Sequence, residues 1–480
     1  MTRVLVLDVG TSALKAVVFD EHGTALAAAE TGYRAALAPH RHDADEWWHA
    51  ARAAIAGLDA YLVNAIVMTG AMENLVAVDA EGVPVADALL YSDPCGAPCL
   101  EAARARLEAA GAAAILGNPP EPLMTAFKAA WLAGAEPEAF ARARFLLPGA
   151  KDALVLRLTG QAATDPVTAT TTGLMDLAAR AWSPQLAAAT GVPVEKLPAL
   201  LSAGAVVGTV APALAADLGL KDGGPIPVVN GCGDGGATTL GAFCEAAGDV
   251  SLYLGTTGWV ARVVESRGQE PDPSVYRLAH PDDGLLVEIA PILSAGAAGN
   301  WARAVLGIGE DARDAALAAA DARAGDLVFL PYLSGERFPF LDMKVRGAFL
   351  GLDAGHRAED LYYAVLEGVA LAIAANLDRL DPGGSSAVRL AGGGATSAVW
   401  PQMIADLLGR PVMIPPDPAN ATAIGAFLVA AKTLGLARPG AGSLRTIAPR
   451  PERAGRAARL RAAFAHGTAA ARRLAGGSKA

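Results

Sequence analysis

The acids and hydroxyls whose spacing could do chemistry gather in glycine-rich stretches. In "VLVLDVGTSALKAVVFD", residues 4–20, Asp8, Gly10, Thr11 and Ser12 stand between two apolar runs. Turn residues between strand-like runs make a β-hairpin. The same residues have a second reading. A glycine turn faces backbone N–H groups and short hydroxyls toward an anion, and a carboxylate at a strand end can hold a divalent cation. "LYLGTTGWVARVV", residues 252–264, repeats the pattern with Gly255, Thr256 and Thr257, but puts Tyr253 where the first copy has Asp8. The echo implies a duplicated α/β unit. Each half would present one phosphate-facing turn to a shared cleft, and only the first would bring a metal-side carboxylate.

Between the two hairpins lies "VVNGCGDGGATTLGAF", in which Asp234 is flanked by Gly231, Gly233, Gly235 and Gly236. Bare glycines leave room for close approach to the carboxylate. An Asp at a strand-to-helix junction can be a helix N-cap, or it can accept the proton of an attacking hydroxyl in phosphoryl transfer. Further on, "RLAGGGATSAVW" places Gly392, Gly393 and Gly394 after a strand. That turn is either part of a dinucleotide fingerprint, with Ser397 at its third glycine position, or a bed for adenine and ribose. No Walker or protein-kinase signature occurs, and the seven histidines lie outside the glycine-rich turns, so a Ser-His-Asp or zinc mechanism has no home. Cys95 and Cys99 lack a nearby His partner and read as buried or loop thiols.

These stretches must be positioned by a large α/β framework. The chain has 480 residues, 53% of them hydrophobic, enough for two or three domains. Its 39 Lys and Arg against 49 Asp and Glu give a net charge of -10, which argues against a polyanion-wrapping surface and a nucleic-acid partner. Four cysteines are too few for a disulfide scaffold. The opening M-T-R reaches Asp8 without the apolar core of a secretory signal, and no uncharged run is long enough to span a bilayer; a cytoplasmic protein with no membrane partner is expected. Strand-like runs alternate with alanine-rich helical stretches, which argues α/β layers. A Gly/Pro-rich break at 219–227 divides the chain into 1–228 and 229–480. The C-terminal run from 451 reads as a basic helix with a frayed end and a solvated charged face.

Taken together with "TAFKAAWL", "LLPGAKDALVLRLTG", "FLPYLSGERFPF" and "RGAFLGLDAGHRAEDLYYAVLEGVALAI", these segments resemble, in content and order, the FGGY family of carbohydrate kinases, with a spacing most like its xylulose kinases. The resemblance covers nearly the whole chain. It implies two ribonuclease-H-like domains, the actin and hexokinase architecture, with the active-site cleft between them. It also implies ATP and Mg2+ as cofactors and phosphorylation of a small neutral sugar or polyol such as xylulose. Asp234 would be the general base and Asp8 its catalytic companion, both near the metal. Gly10, Thr11, Ser12 and Lys15 would line the first phosphate turn, and Gly255, Thr256 and Thr257 the second. Gly299, Gly393 and Gly394 would border the nucleotide. Met72, Glu73, Asp93 and Asp234 would meet the sugar. A homodimer is open.

The departures concern the sugar. Where xylulose kinases carry Gln-Met-His-Gly, this chain has Ala71, Met72, Glu73 and Asn74, and "YSDPC" keeps Asp93 but sets Cys95 in place of an arginine. Glu73 is an acceptor-only group when ionised, suited to a hydroxyl-rich or amine-bearing polyol and hostile to a sugar acid. Glu73 facing solvent in a repacked loop is the plain alternative. Ribulose, glycerol or another polyol therefore stand beside xylulose as substrates. The readings from other classes are a sugar or nucleotide sensor that has lost catalysis, and a nicotinamide-dependent oxidoreductase built on "GGGATS".

Overall fold

The computed structural model describes residues 2–33, 40–58, 62–220, 224–266, 275–323, 325–440 and 444–476. Residues 221–223 of the Gly/Pro-rich break and residues 477–480, the end expected to fray, lie outside the described residues.

Two sheets carry the molecule. In the first, the order is Val206–Val210, Ile226–Gly233, Ala65–Gly70, Val4–Val9, Ala13–Phe19 and Ala25–Gly32. In the second it is Tyr276–Ala279, Leu285–Ile292, Gly258–Glu265, Val250–Leu254, Val388–Ala391, Val412–Ile414 and Arg445–Ile447. With the edge additions set aside, both read third, second, first, fourth, fifth. The first three strands form an antiparallel meander and the last two run parallel to the first. This is the ribonuclease-H-like arrangement, present twice. It is not the all-parallel sheet of a dinucleotide fold, so the "GGGATS" turn belongs to a different scaffold.

The strand Val4–Val9 is central, and its run V-L-V-L is buried on both faces, as a doubly covered strand requires. Pairing of Val9 with Leu14 leaves Gly10, Thr11, Ser12 and Ala13 between them, closed by the Gly10 N–H on the Ala13 carbonyl, and pairing of Leu254 with Gly258 leaves Gly255, Thr256 and Thr257. The strand Ile226–Gly233 runs unbroken through the division expected at 228/229 and belongs to the first sheet. Sheet membership changes later, between Gly233 and Val250.

The fifth strand of each half leads into a helix, Asp234–Gly241 in one and Ala421–Leu434 in the other. Their sequences repeat: A-T-T-L-G-A-F at 237–243 and A-T-A-I-G-A-F at 421–427. The helices cross with equivalent residues in contact. The Thr238 and Thr422 hydroxyls are 2.8 Å apart. A Cβ on Gly241 would lie 1.7 Å from the Ala421 carbonyl oxygen, and one on Gly425 would lie 1.8 Å from that of Ala237. Only glycine permits backbones this close.

The long insertion at 71–205 in the first half reaches over to the second. The Asn118 side chain donates to the Arg277 carbonyl at 2.8 Å and accepts from its N–H at 2.7 Å, capping the edge strand Tyr276–Ala279. The helix Ala358–Leu380 is long and apolar enough to cross a membrane, but sixteen of its residues are buried in the core of the second half. The C-terminal helix Ala454–Leu474 corrects the expectation of a solvated charged face. Leu460 and Phe464 enter the core, and Arg456 reaches the buried Glu367 at 2.7 Å. Arg450, just before it, pairs with Asp321 and Asp406 at 3.0 and 2.7 Å. These arginines are used to dock the helix.

Candidate active site

Asp234 is aimed by a defect in its strand. Pairing of Ile226–Gly233 with Ala65–Gly70 slips between Val229 and Cys232, and Gly231 takes φ +68° there, where a Cβ would lie 1.7 Å from the Met68 carbonyl oxygen. The bulge turns the chain so that Asp234 opens its helix at the cleft. Gly233, not Asp234, holds the N-cap position, and the Asp234 carboxylate accepts from the adjacent Gly235 N–H at 2.8 Å. Behind the bulge, Lys151 is fully buried between Asp152 at 2.8 Å and Asp165 at 3.0 Å, and the buried Asn230 hydrogen-bonds the Thr164 carbonyl at 3.0 Å.

Asp8, on Val4–Val9, and Asp234, directly after Ile226–Gly233, lie at the same end of the first sheet with only Ala65–Gly70 between their strands. Burial pushes the Asp8 carboxyl up to about 6, against the pull of Lys15, its cross-strand partner. Burial and then the nearby Asp8 carboxylate push Asp234 up to about 7. Tyr253 joins the two halves at this point, since its hydroxyl feels both carboxylates while its ring edge would lie 2.8 Å from a Cβ on Gly255. The ring also stacks on Trp259 with centroids 4.2 Å apart. The strand before the second turn thus comes within electrostatic reach of both carboxyls, while Gly10 and Thr11 line a small pocket separate from the one lined by Gly255 and Thr256. Two half-buried carboxyls with raised pKa values stand here, Asp8 with Lys15 opposite it and Asp234 with Asp8 as its charged neighbour. Among the described residues no cluster of three or more His, Cys, Asp or Glu forms a complete metal cage. That fits Mg2+, which takes one or two carboxylates and fills its shell with phosphates and water.

Gly255, Thr256, Gly299, Gly393 and Gly394 line one cavity of about 490 Å³, together with Asn300, Arg303, Arg313 and Tyr362, which the sequence reading missed. A Cβ on Gly393 would meet open space, whereas one on Gly394 would lie 2.7 Å from Leu254 Cβ. Gly393 thus leaves a bare patch of backbone on the cavity floor, suited to a flat ligand. Thr257 is exposed at the turn, where its carbonyl accepts from the Gly255 N–H at 2.9 Å, and it does not line the cavity. In the first turn Thr11 and Ser12 are exposed, and the Gly10 carbonyl accepts from the Tyr33 hydroxyl at 3.0 Å. Lys15 leaves the turn and hydrogen-bonds Asn420 Oδ1 at 2.8 Å.

The expected sugar residues gather on the other side of Asp234. Met72 packs on the glycine before it: a Cβ on Gly233 would lie 2.2 Å from Met72 Sδ. Glu73 adopts φ +60°, a left-handed conformation rare for a side chain of its size. Its carbonyl accepts from the buried Lys128 ammonium at 2.8 Å. Burial raises the Glu73 pKa and lowers that of Lys128. From the second half, Arg337 pairs with Glu121 at 2.6 Å, and the Tyr276 hydroxyl is buried without a hydrogen-bond partner among the described residues, within the field of Glu73 and Glu121. An orphaned donor beside acceptors fits a hydroxyl-bearing ligand. Asp93 is engaged by the protein itself, accepting from the Cys95 N–H at 2.9 Å and lying 3.7 Å from Arg41. Burial and Asp93 push the Cys95 thiol up to about 12, far from a thiolate ligand.

Comparison with known proteins identifies the family. The N-terminal domain of the FGGY family of carbohydrate kinases matches residues 3–241 and the C-terminal domain matches residues 227–434. The chain is 34% identical over 421 residues to the xylulose kinase of Escherichia coli K12, covering 84% of each. It is 32% identical over 471 residues to a glycerol kinase of Methylibium petroleiphilum, covering 91% of each. Its structure superposes on a xylulose kinase from Brucella ovis with a TM-score of 0.86 at 30% identity, over 98% of this chain and all of the other. A duplicated fold matched half by half to one family leaves one assignment: the chain belongs to the FGGY carbohydrate kinases, and it is a sugar phosphotransferase.

Proposed function

We propose that this kinase transfers the terminal phosphoryl group of ATP to a hydroxyl of a small neutral sugar or polyol, a ketopentose such as xylulose first among them. The observation that carries this reading is the placement of the Asp234 carboxyl, at the start of its helix, with Met72 packed on the preceding Gly233 and Asp8 at the same end of the sheet. A carboxylate whose pKa is raised toward neutrality is a stronger base than an ordinary aspartate for the hydroxyl proton as it becomes acidic in the transition state, and a hydrogen bond from the hydroxyl to it would hold that hydroxyl in line for attack. Asp8 and Asp234 would hold Mg2+, which when bound spreads the charge of the transferring group. The N–H groups and hydroxyls of the turns at 10–12 and 255–257 orient phosphate oxygens. Gly299, Gly393 and Gly394 give the nucleoside a surface without side chains.

A second reading, a polyol such as glycerol in place of a ketopentose, is favoured by Glu73. An acceptor in the middle of the site selects hydroxyl or amine donors and rejects a carboxylate-bearing sugar. Retention of both Asp8 and Asp234 speaks against a silent sensor.

The test is a coupled ADP-release screen over pentuloses, hexuloses, polyols and sugar acids, run beside Asp234→Ala. The variant should lose transfer while its sugar affinity by calorimetry stays within about tenfold, because a base acts mainly in the transition state. An unfolded variant would instead assign Asp234 a structural role.

A further inference from the structure

Lys15 stands on the first hairpin, opposite Asp8, yet its ammonium is spent on the other half of the molecule. It donates to Asn420 Oδ1 at 2.8 Å, and the Glu30 carboxylate is more distant at 3.9 Å. The amide that receives it is held in one orientation: Asn420 Nδ2 donates to Asp417 Oδ2 at 2.6 Å, which turns Oδ1 toward Lys15. The loop carrying both residues is tied to the nucleotide cavity, since Pro418 accepts from the Gly392 N–H at 2.7 Å. Asn420 immediately precedes Ala421, whose carbonyl meets Gly241 at the crossing of the two helices. One side chain therefore links the metal-side hairpin, the nucleotide turn and the joint between the halves.

The type of acceptor matters. A neutral amide fixes a lysine's position but binds it far more weakly than an anion does, and Lys15 keeps 31% of its side chain exposed. A triphosphate brings several negative charges within reach of the same ammonium and outcompetes the amide. We propose that Asn420 is a positioning residue that parks the Lys15 ammonium on the second half while the cleft holds no triphosphate and yields it to the phosphates on their arrival. Nucleotide binding then includes the exchange of one tie between the halves for another through the ligand. The inference rests on the reading that the first turn faces a triphosphate.

The test is calorimetric binding of the β,γ-imido analogue of ATP and of adenosine, without sugar, to the full-length protein and its variants. Removal of the competitor in Asn420→Ala should tighten the analogue about threefold, and a charged competitor in Asn420→Asp should weaken it about tenfold. Adenosine, which has no phosphates, should bind all three alike. In a Lys15→Met background, substitution of Asn420 should change nothing, as expected for two residues acting through one contact. Parallel shifts for analogue and adenosine, the reverse order, or persistence of the effect without Lys15 would each overturn the proposal. If Lys15→Met weakens the analogue while Asn420 variants bind normally, the parking role alone falls. If Lys15→Met leaves analogue affinity unchanged, the phosphate reading of the first turn falls and takes the proposal with it.

Discussion

Asp8 raises the pKa of Asp234: the two carboxyls share one poorly solvated cleft, and the second is held up to about 7 by burial and by the charge of the first. A base works only when ionised, so kcat/KM for the sugar should fall as pH drops through about 7 when Mg2+ is scarce. A cation between the carboxyls favours the ionised form, so the acid limb should move to lower pH as Mg2+ is raised. Rate profiles at several Mg2+ concentrations check this, and a limb indifferent to Mg2+ would take the metal away from this pair.

Gly393 and Gly394 are adjacent but do different work. An alanine at 393 enters open space and one at 394 strikes Leu254 and Trp400, at 2.7 and 3.0 Å. Gly393→Ala should leave the melting temperature unchanged and raise KM for ATP several-fold. Gly394→Ala should cost about 1–3 kcal/mol of stability through overpacking. Thermal melts paired with ATP titrations separate the two.

Glu73 sits at φ +60°, a conformation that costs a non-glycine residue about 1 kcal/mol or more. Glu73→Gly should therefore be no less stable than the parent, or gain about 1 kcal/mol, while losing discrimination among substrates. Glu73→His should shift preference toward xylulose. An unchanged substrate profile in both variants would remove this residue from the sugar site.

Lys151 compensates Asp152 and Asp165 in a region closed to water. Lys151→Met leaves two buried carboxyls without a cation and should destabilise the fold by about 3–5 kcal/mol. The loss should shrink in mild acid, where protonation of Asp152, whose folded pKa is raised to about 6, removes one unpaired charge. Denaturant melts at neutral and mildly acidic pH measure both effects.

The two turns and the Asp234 loop were legible in the sequence because glycine and hydroxyl residues at fixed offsets from apolar runs leave a local signature. Asn420 left none: its meaning depends on Lys15, 405 positions away, and such pairings are written only in the tertiary structure. The same holds for Arg303 and Arg313, which no local motif marks and which only the fold sets on the cavity wall. The C-terminal arginines misled for a related reason, since the acids that receive them, Asp321, Glu367 and Asp406, come from other helices. The A-T-x-x-G-A-F repeat at 237 and 421 was a visible signal that a search for self-similarity beyond the two hairpins would have found.

The crossing at Gly241 and Gly425 puts a substitution under unusual constraint. Gly241→Ala or Gly425→Ala would drive a methyl group into a carbonyl, and either should cost at least about 3 kcal/mol, with the double variant no better. Equilibrium unfolding measures this.

That crossing also bears on where Asp234 can go. Peptide groups in direct contact have no side chains to comb past one another, and Asp234 stands one helical turn from this joint, so its carboxyl is anchored beside the least compliant contact between the halves.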